Sequence, residues 1–338
     1  MSTKTLSISL RVRFTSCHRA RKTLKAGPIN SDLISCALNF FLGIPLWGHP
    51  LTQINVTCPT TIPSIVASLL AATYNPNLVS DNFSCGVAQT EVEVASMTAR
   101  MIGYDPSLST GIFTFGGTGT VLYGVKVGLE KTIPGSMKCG LQGEKAVIIA
   151  SDKAHYCGLT IAGWLGIGQD NVIPVKSNLK NEVKIDEFEK AARDAIEHGK
   201  KIACFVATMG TTDSFGIDDL ESIVRIRDNL VCENNLRYIP HVHADAVIGW
   251  AWAALNDYNF DENQLGFRRR TVHALQGVVR RVSKLHLADS VGIDFHKTGF
   301  CPYSSSLVLF KNQRDMSLLA RNGTDVSSTL LCVIVGYS

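Results

Sequence analysis

The run Ile202-Ala203-Cys204-Phe205-Val206-Ala207, followed at once by Thr208-Met209-Gly210-Thr211-Thr212, decides the architecture. Six apolar residues without a charge predict a strand buried on both faces, and the glycine and threonines after it predict the turn that leaves the sheet. On its N-terminal side Ile185, Phe188, Ala192, Ala195 and Ile196 share one helical face, with Asp186 and Glu189 as a capping-box-like start and Gly199 as a stop. On its C-terminal side a helix is expected from Asp218 to Leu230 and a strand from Tyr238 to His243. Further upstream, Gln89 to Ile102 reads as a helix ended by Gly103, Thr118 to Leu129 as a helix opening from a glycine turn, and Ala146 to Ala150 as another buried strand. Short apolar strands alternating with helices predict an α/β fold with a mostly parallel sheet covered on both faces. Active sites in such sheets lie past the C-terminal ends of the strands.

With 338 residues, 45% of them apolar, the chain can bury a substantial core as one large domain or two smaller ones. Its net charge of +4 comes from the first 25 residues, which hold seven Lys or Arg and no acid; the remainder carries 26 basic against 29 acidic residues. That balance does not suggest a nucleic-acid binder. The acid-free, Ser-, Thr- and Arg-rich leader has the composition of a transit peptide, yet Leu6, Ile8, Leu10, Val12 and Phe14 alternate with period two rather than helically. A cytoplasmic protein is therefore expected, with mitochondrial targeting as the alternative. No apolar run reaches the ~18 to 20 residues needed to span a membrane, so no membrane partner is expected. Ten cysteines occur without a Cys-x-x-Cys pair, and the expectation is scattered, buried free thiols in a reducing compartment. The basic segment Phe267 to Lys284 reads either as an anion-attracting rim or as a solvated or subunit-contacting helix face.

Five positions carry candidate chemistry. Gly116-Gly117-Thr118-Gly119 leads into a helix, where small residues and exposed N–H groups favour an anion, although neither a dinucleotide-binding fingerprint nor a P-loop is present. His155 follows a strand and could stack on a bound ring, and Thr212 could orient a ligand. His241, His243 and Asp245 alternate onto one strand face, which suits a metal site, or leaves Asp245 as the partner of a pyridinium nitrogen. Lys297, in Asp294-Phe295-His296-Lys297 ahead of the apolar strand Ser306 to Phe310, is expected near the core edge beside a histidine and two carboxylates. A partly desolvated lysine there is a nucleophilic amine suited to Schiff-base chemistry.

Together these motifs resemble the group II pyridoxal-dependent decarboxylases, the family that includes glutamate, tyrosine, aspartate and aromatic amino acid decarboxylases. The resemblance runs from about Leu42 to Phe310, through Gly-Gly-Thr at 116 to 118, Ala-His at 154 and 155, Gly-Thr-Thr at 210 to 212, His-x-Asp-Ala at 243 to 246 and Asp-Phe-His-Lys at 294 to 297. It implies pyridoxal 5'-phosphate as cofactor, held on Lys297 as an internal aldimine, and decarboxylation of an L-amino acid to its amine and CO2. It further implies that His155 lies over the ring, Asp245 at its nitrogen, Gly117, Thr118 and Gly119 at the phosphate and Thr212 near the rim, with His296 helping to place the lysine. Lys297, His155 and Asp245 are the implied catalytic residues, and no metal is implied.

The implied fold is the aspartate-aminotransferase-type (fold type I) large domain with a smaller C-terminal domain, working as a homodimer. The expected organisation is a basic leader and N-terminal segment over residues 1–41, a cofactor-binding domain over 42–321 and a non-matching tail over 322–338, so that the smaller domain is expected to be missing. Two alternatives follow: a truncated, inactive chain that only binds cofactor, and a pyridoxal enzyme of other outcome, such as transamination or elimination.

Overall fold

The computed structural model describes residues 38–44, 49, 56–78 and 81–319. Most of the basic leader and the whole 322–338 tail lie outside the described residues. The chain divides into two units, Met1–Leu46 and Trp47–Ser338. In the first, residues 38–43 form a helical turn; the remaining structure belongs to the second.

Among the described residues seven strands form one sheet: β1 (Thr110–Thr114), β2 (Ala146–Ser151), β3 (Val172–Val175), β4 (Lys201–Thr208), β5 (His241–Asp245), β6 (Ser290–Asp294) and β7 (Ser306–Phe310). Their order is β1-β7-β6-β5-β4-β2-β3. From β3 across to β6 every neighbouring pair is parallel, whereas β7 runs antiparallel to both β6 and β1. The helices include α1 (Ile62–Tyr74), α2 (Gly86–Met101), α3 (Gly117–Thr132), α4 (Cys157–Trp164), α5 (Ile185–Glu197), α6 (Leu220–Glu233), α7 (Arg269–Val282) and the short α8 (Phe295–Thr298).

The uninterrupted apolar runs exist because the sheet is covered twice. Val147 and Ile149 of β2 belong to one buried cluster that also takes in Phe188 and Ala192 of α5, Leu220 and Ile223 of α6 and, further along the sheet, Ala95 and Ala99 of α2. Ile148 and Ala150, pointing the other way, join Val121, Val125 and Leu129 of α3 and Ile161 of α4. Helix α3 lies close on the sheet through glycines. A Cβ at Gly124 would collide with His243 Nδ1, and one at Gly128 with the carbonyl oxygen of Ala203.

Several element ends depart from expectation. The strand expected over Tyr238–His243 is β5 at His241–Asp245, because Pro240 has no N–H to give to a ladder and the Tyr238 hydroxyl instead accepts from the Ile202 amide. The helix expected from Asp218 begins at Leu220 behind the N-cap Asp219. Asp218 stays outside it, and its carboxylate accepts from the amides of Val183 and Thr208 at 2.7 Å each. No capping box forms on α5: Lys184 is the N-cap without a side-chain bond, and Glu189 pairs with Arg193 at 2.6 Å. Gly199 does follow its end at φ +68°.

The thiol expectation is also corrected. Of the seven described cysteines, all free, only Cys157 and Cys204 are buried, while Cys85, Cys139 and Cys232 are exposed. Helix α7 buries Leu275, Val279 and Val282 and turns its arginines outward, with Arg281 near Glu182 and Asp219 at 3.6 Å. No described helix is long and apolar enough to cross a membrane.

Candidate active site

Past the C-terminal ends of the central strands lies a cavity of about 310 Å³. Gly117 and Thr118 reach it from α3, His155, Tyr156 and Cys157 from the segment after β2, and Thr212 from the segment after β4. Asp245 enters from the end of β5 and Val247 from the turn after it, Asp294 and Lys297 from β6 and α8, and Tyr303 from the loop before β7. A parallel sheet produces this convergence, since its strands end on one side and their turns share one crevice.

Lys297 is buried at 7% exposure. Helix α8 begins directly where β6 stops, which turns the lysine back over the strand end. Its Nζ donates to Thr212 Oγ1 at 2.7 Å and forms an ion pair with Asp294 Oδ2 at 2.7 Å. Asp294 is fully buried, and its Oδ1 accepts the Ser306 hydroxyl at 2.5 Å from the facing register position on β7. The lysine thus does lie beside two carboxylates, but they are Asp294 and Asp245. Asp289, the other acid of the same stretch, accepts from Arg227 at 3.1 Å and from the Val242 amide at 2.8 Å.

Asp245 ends β5, is 3% exposed, and has a buried Oδ1 without a hydrogen-bond partner. Burial pushes its carboxyl up to about 7; Lys297 pulls it down and Asp294 pushes it up. An unpartnered buried acceptor costs about 1–3 kcal/mol. A ligand bringing a charged N–H to that oxygen would recover it, and the protonated ring nitrogen of pyridoxal phosphate is such a donor.

His155 accepts the Cys157 amide at Nδ1, 3.2 Å away, and stacks on Tyr156 with ring centroids 4.2 Å apart. Burial lowers its pKa, opposed by Asp213. This leaves a flat, neutral imidazole at the cavity wall. Gly116, at φ +131°, makes the turn into α3, and the first amides of that helix are those a phosphate would use. A Cβ at Gly117 would stand 3.0 Å from Asp294 Oδ2 and 3.1 Å from Val247 Cγ1, so a larger residue would crowd that carboxylate. The chain therefore offers an anion cradle, a ring face, a buried carboxylate with one unpartnered oxygen and a buried amine, and these fit the cofactor.

Two of the implied residues are not among those lining the cavity. Gly119 does not line the cavity: its amide donates to the Gly116 carbonyl at 2.8 Å, and a Cβ would meet Thr114 Cβ at 2.8 Å, so it serves close packing. His296 sits behind the lining, accepting the Ser305 amide at Nδ1, 3.0 Å, with Tyr303 packed on its ring. Its Nε2 lies 3.5 Å from Asp294, so any influence on Lys297 passes through that carboxylate.

The alternation of His241, His243 and Asp245 is real, but the histidines converge on Ser290, each 2.8 Å from its hydroxyl. Among the described residues no group of three or more His, Cys, Asp or Glu side chains is arranged to hold a metal. Burial lowers His241 to about 4 and His243 to about 3, so both are neutral members of a buried network. Asp294, Tyr156 and Tyr303 were not assigned from sequence. Asp294 was legible as the acid one helical turn before the lysine, whereas nothing marked Tyr303.

The chain matches the pyridoxal-dependent decarboxylase conserved domain over residues 24–256. It belongs to the pyridoxal-dependent decarboxylase family. An L-2,4-diaminobutyrate decarboxylase from Acinetobacter baumannii is 28% identical over 279 residues, covering 78% of this chain and 49% of the relative. Among solved structures, the glutamate decarboxylase domain of a diaminobutyrate-pyruvate transaminase and L-2,4-diaminobutyrate decarboxylase from Vibrio parahaemolyticus superposes with a TM-score of 0.68 at 20% identity, covering 88% of this chain and 60% of that one. Oryza sativa TDC with PLP and tryptamine gives 0.69 at 16% identity, covering 94% and 64%. These likenesses show the fold type I architecture. The chain spans about half the length of the curated relatives it matches.

Proposed function

We propose that this chain binds pyridoxal 5'-phosphate on Lys297 and uses it to decarboxylate an L-amino acid. The observation that carries the reading is one cavity holding both a buried lysine and a buried carboxylate with an unpaired oxygen. The family match ends before residue 297, so the role of Lys297 rests on this geometry and on the motif around it. When bound, the cofactor supplies an electron-withdrawing ring that accepts the charge left as CO2 departs. Asp245 would hold the ring nitrogen in its protonated form, and His155 would cover one ring face. Gly117 and Thr118 would receive the phosphate at the start of α3. Thr212 and Asp294 hold the amine of Lys297 at the strand end, from which it would attack the cofactor carbonyl.

A homodimer is part of the proposal. Helix α1 has no buried residue and exposes Ile62, Ile65, Val66, Leu69, Leu70 and Tyr74, an apolar surface larger than a solvated helix needs.

The test is incubation of the purified chain with pyridoxal phosphate and a panel of amino acids, following CO2, amine and keto acid. CO2 and amine in equal amounts are expected with at least one substrate. Keto acid in place of CO2 would move the assignment to transamination, and no product from any amino acid would reject catalysis by this chain.

A further inference from the structure

The pocket contains one lysine and two buried carboxylates, and the lysine is paired with only one of them. Lys297 Nζ stands 2.7 Å from Asp294 Oδ2. Asp245, within Coulombic range of the same ammonium, keeps an oxygen without a partner. Three features hold Asp294 in this role. Ser306 fixes its other oxygen at 2.5 Å. Gly117 leaves room for the carboxylate on the α3 side. Thr212 accepts from the same amine at 2.7 Å. We infer that Asp294 is a positioning residue: it retains Lys297 on the β6 side of the cavity and so leaves Asp245 unpaired for the ring nitrogen of the cofactor.

The inference rests on the cofactor reading above and adds a competition to it. Without Asp294, the ammonium has one buried counter-ion left in the cavity, Asp245. A buried cation pairs with whatever anion it can reach, since an uncompensated buried charge is strongly unfavourable. The new Lys297 to Asp245 pair would then have to be broken before a ring nitrogen could bind.

Asp294→Asn is the appropriate variant, because the amide oxygen can still accept from Ser306 and the side-chain volume is unchanged. The measurement is pyridoxal phosphate affinity of the cofactor-free protein, by equilibrium titration, for the wild type, Asp294→Asn, Asp245→Asn and the double variant, with thermal unfolding of each as the folding control. Loss of a buried charge-assisted contact predicts that Asp294→Asn weakens binding by on the order of tenfold. In the Asp245→Asn background the same change has little effect, because no carboxylate remains to capture the lysine. A merely structural role would give the same loss in both backgrounds and would overturn the inference, as would unchanged or tighter binding by Asp294→Asn. Ser306→Ala, which frees the carboxylate without removing it, is expected to give a smaller loss in the same direction; if Asp294→Asn fails to fold, no loss in Ser306→Ala overturns the inference. Should the wild type itself bind no pyridoxal phosphate, the cofactor reading fails and takes the inference with it.

Discussion

Asp245 shows how a buried carboxylate with an unpartnered oxygen costs stability at the level of one residue. Its carboxyl is buried, lacks a donor for Oδ1, and titrates at about 7 in the fold, against the ordinary range near 4 in an unfolded chain. The sign follows from proton counting: between those values the folded state holds a proton that the unfolded state has lost, so stability falls as pH rises from about 4 to about 7. Asp218, also raised to about 7 by burial, adds to the same loss although two backbone amides oppose it. Asp245→Asn should remove its own share, making the cofactor-free protein more stable than wild type at pH 8 by roughly 2–4 kcal/mol and nearly equal to it at pH 4.5. Denaturant unfolding at the two pH values checks this. An equal effect at both would mean that Asp245 is not the titrating group.

At the scale of elements, α3 has two functions: its N-terminus opens into the cavity and its glycines hold it against β4 and β5. Gly128 separates these functions, lying three turns from the site. In an exposed helix, Gly to Ala gains about 1 kcal/mol from propensity. Here the added methyl would collide with the Ala203 carbonyl and stand 2.8 Å from His241 Cβ, and overpacking costs typically 1–3 kcal/mol. The collision outweighs the propensity, so Gly128→Ala should lower the thermal midpoint by several degrees, read by circular dichroism. The periodicity of α3, α5 and α6 was legible because each has one apolar face, and β2 and β4 because both their faces are covered. The ends were less legible: Pro240 displaced the start of β5, and Asp218 was drawn out of α6 by two distant amides. The same limit explains Gly119, where a Cβ would meet Thr114 of the preceding strand. It also explains His296, whose hydrogen-bond partner Ser305 lies nine residues away across a loop.

Across the whole molecule, the parallel strands gather residues from 117 to 303 into one crevice, so the site is a property of the topology and not of any local segment. That is why a string of short motifs was readable in sequence while the partition of one lysine between two carboxylates was not. Topology also leaves α1 with its apolar residues facing out. The chain has a mass of 36.7 kDa, and sedimentation at micromolar concentration should report about twice that, with Leu69→Glu and Leu70→Glu together shifting the protein toward monomer. A monomer in the unmodified chain would leave the exposed helix to some other partner.

The central claim is that Lys297 carries the cofactor, and reductive trapping tests it most directly. The protein is incubated with pyridoxal phosphate, treated with borohydride and mapped by peptide mass spectrometry. One stoichiometric pyridoxyl adduct on the peptide containing Lys297, absent from Lys297→Ala, is the expected result. An adduct on another lysine, or an unchanged adduct yield in Lys297→Ala, would contradict it.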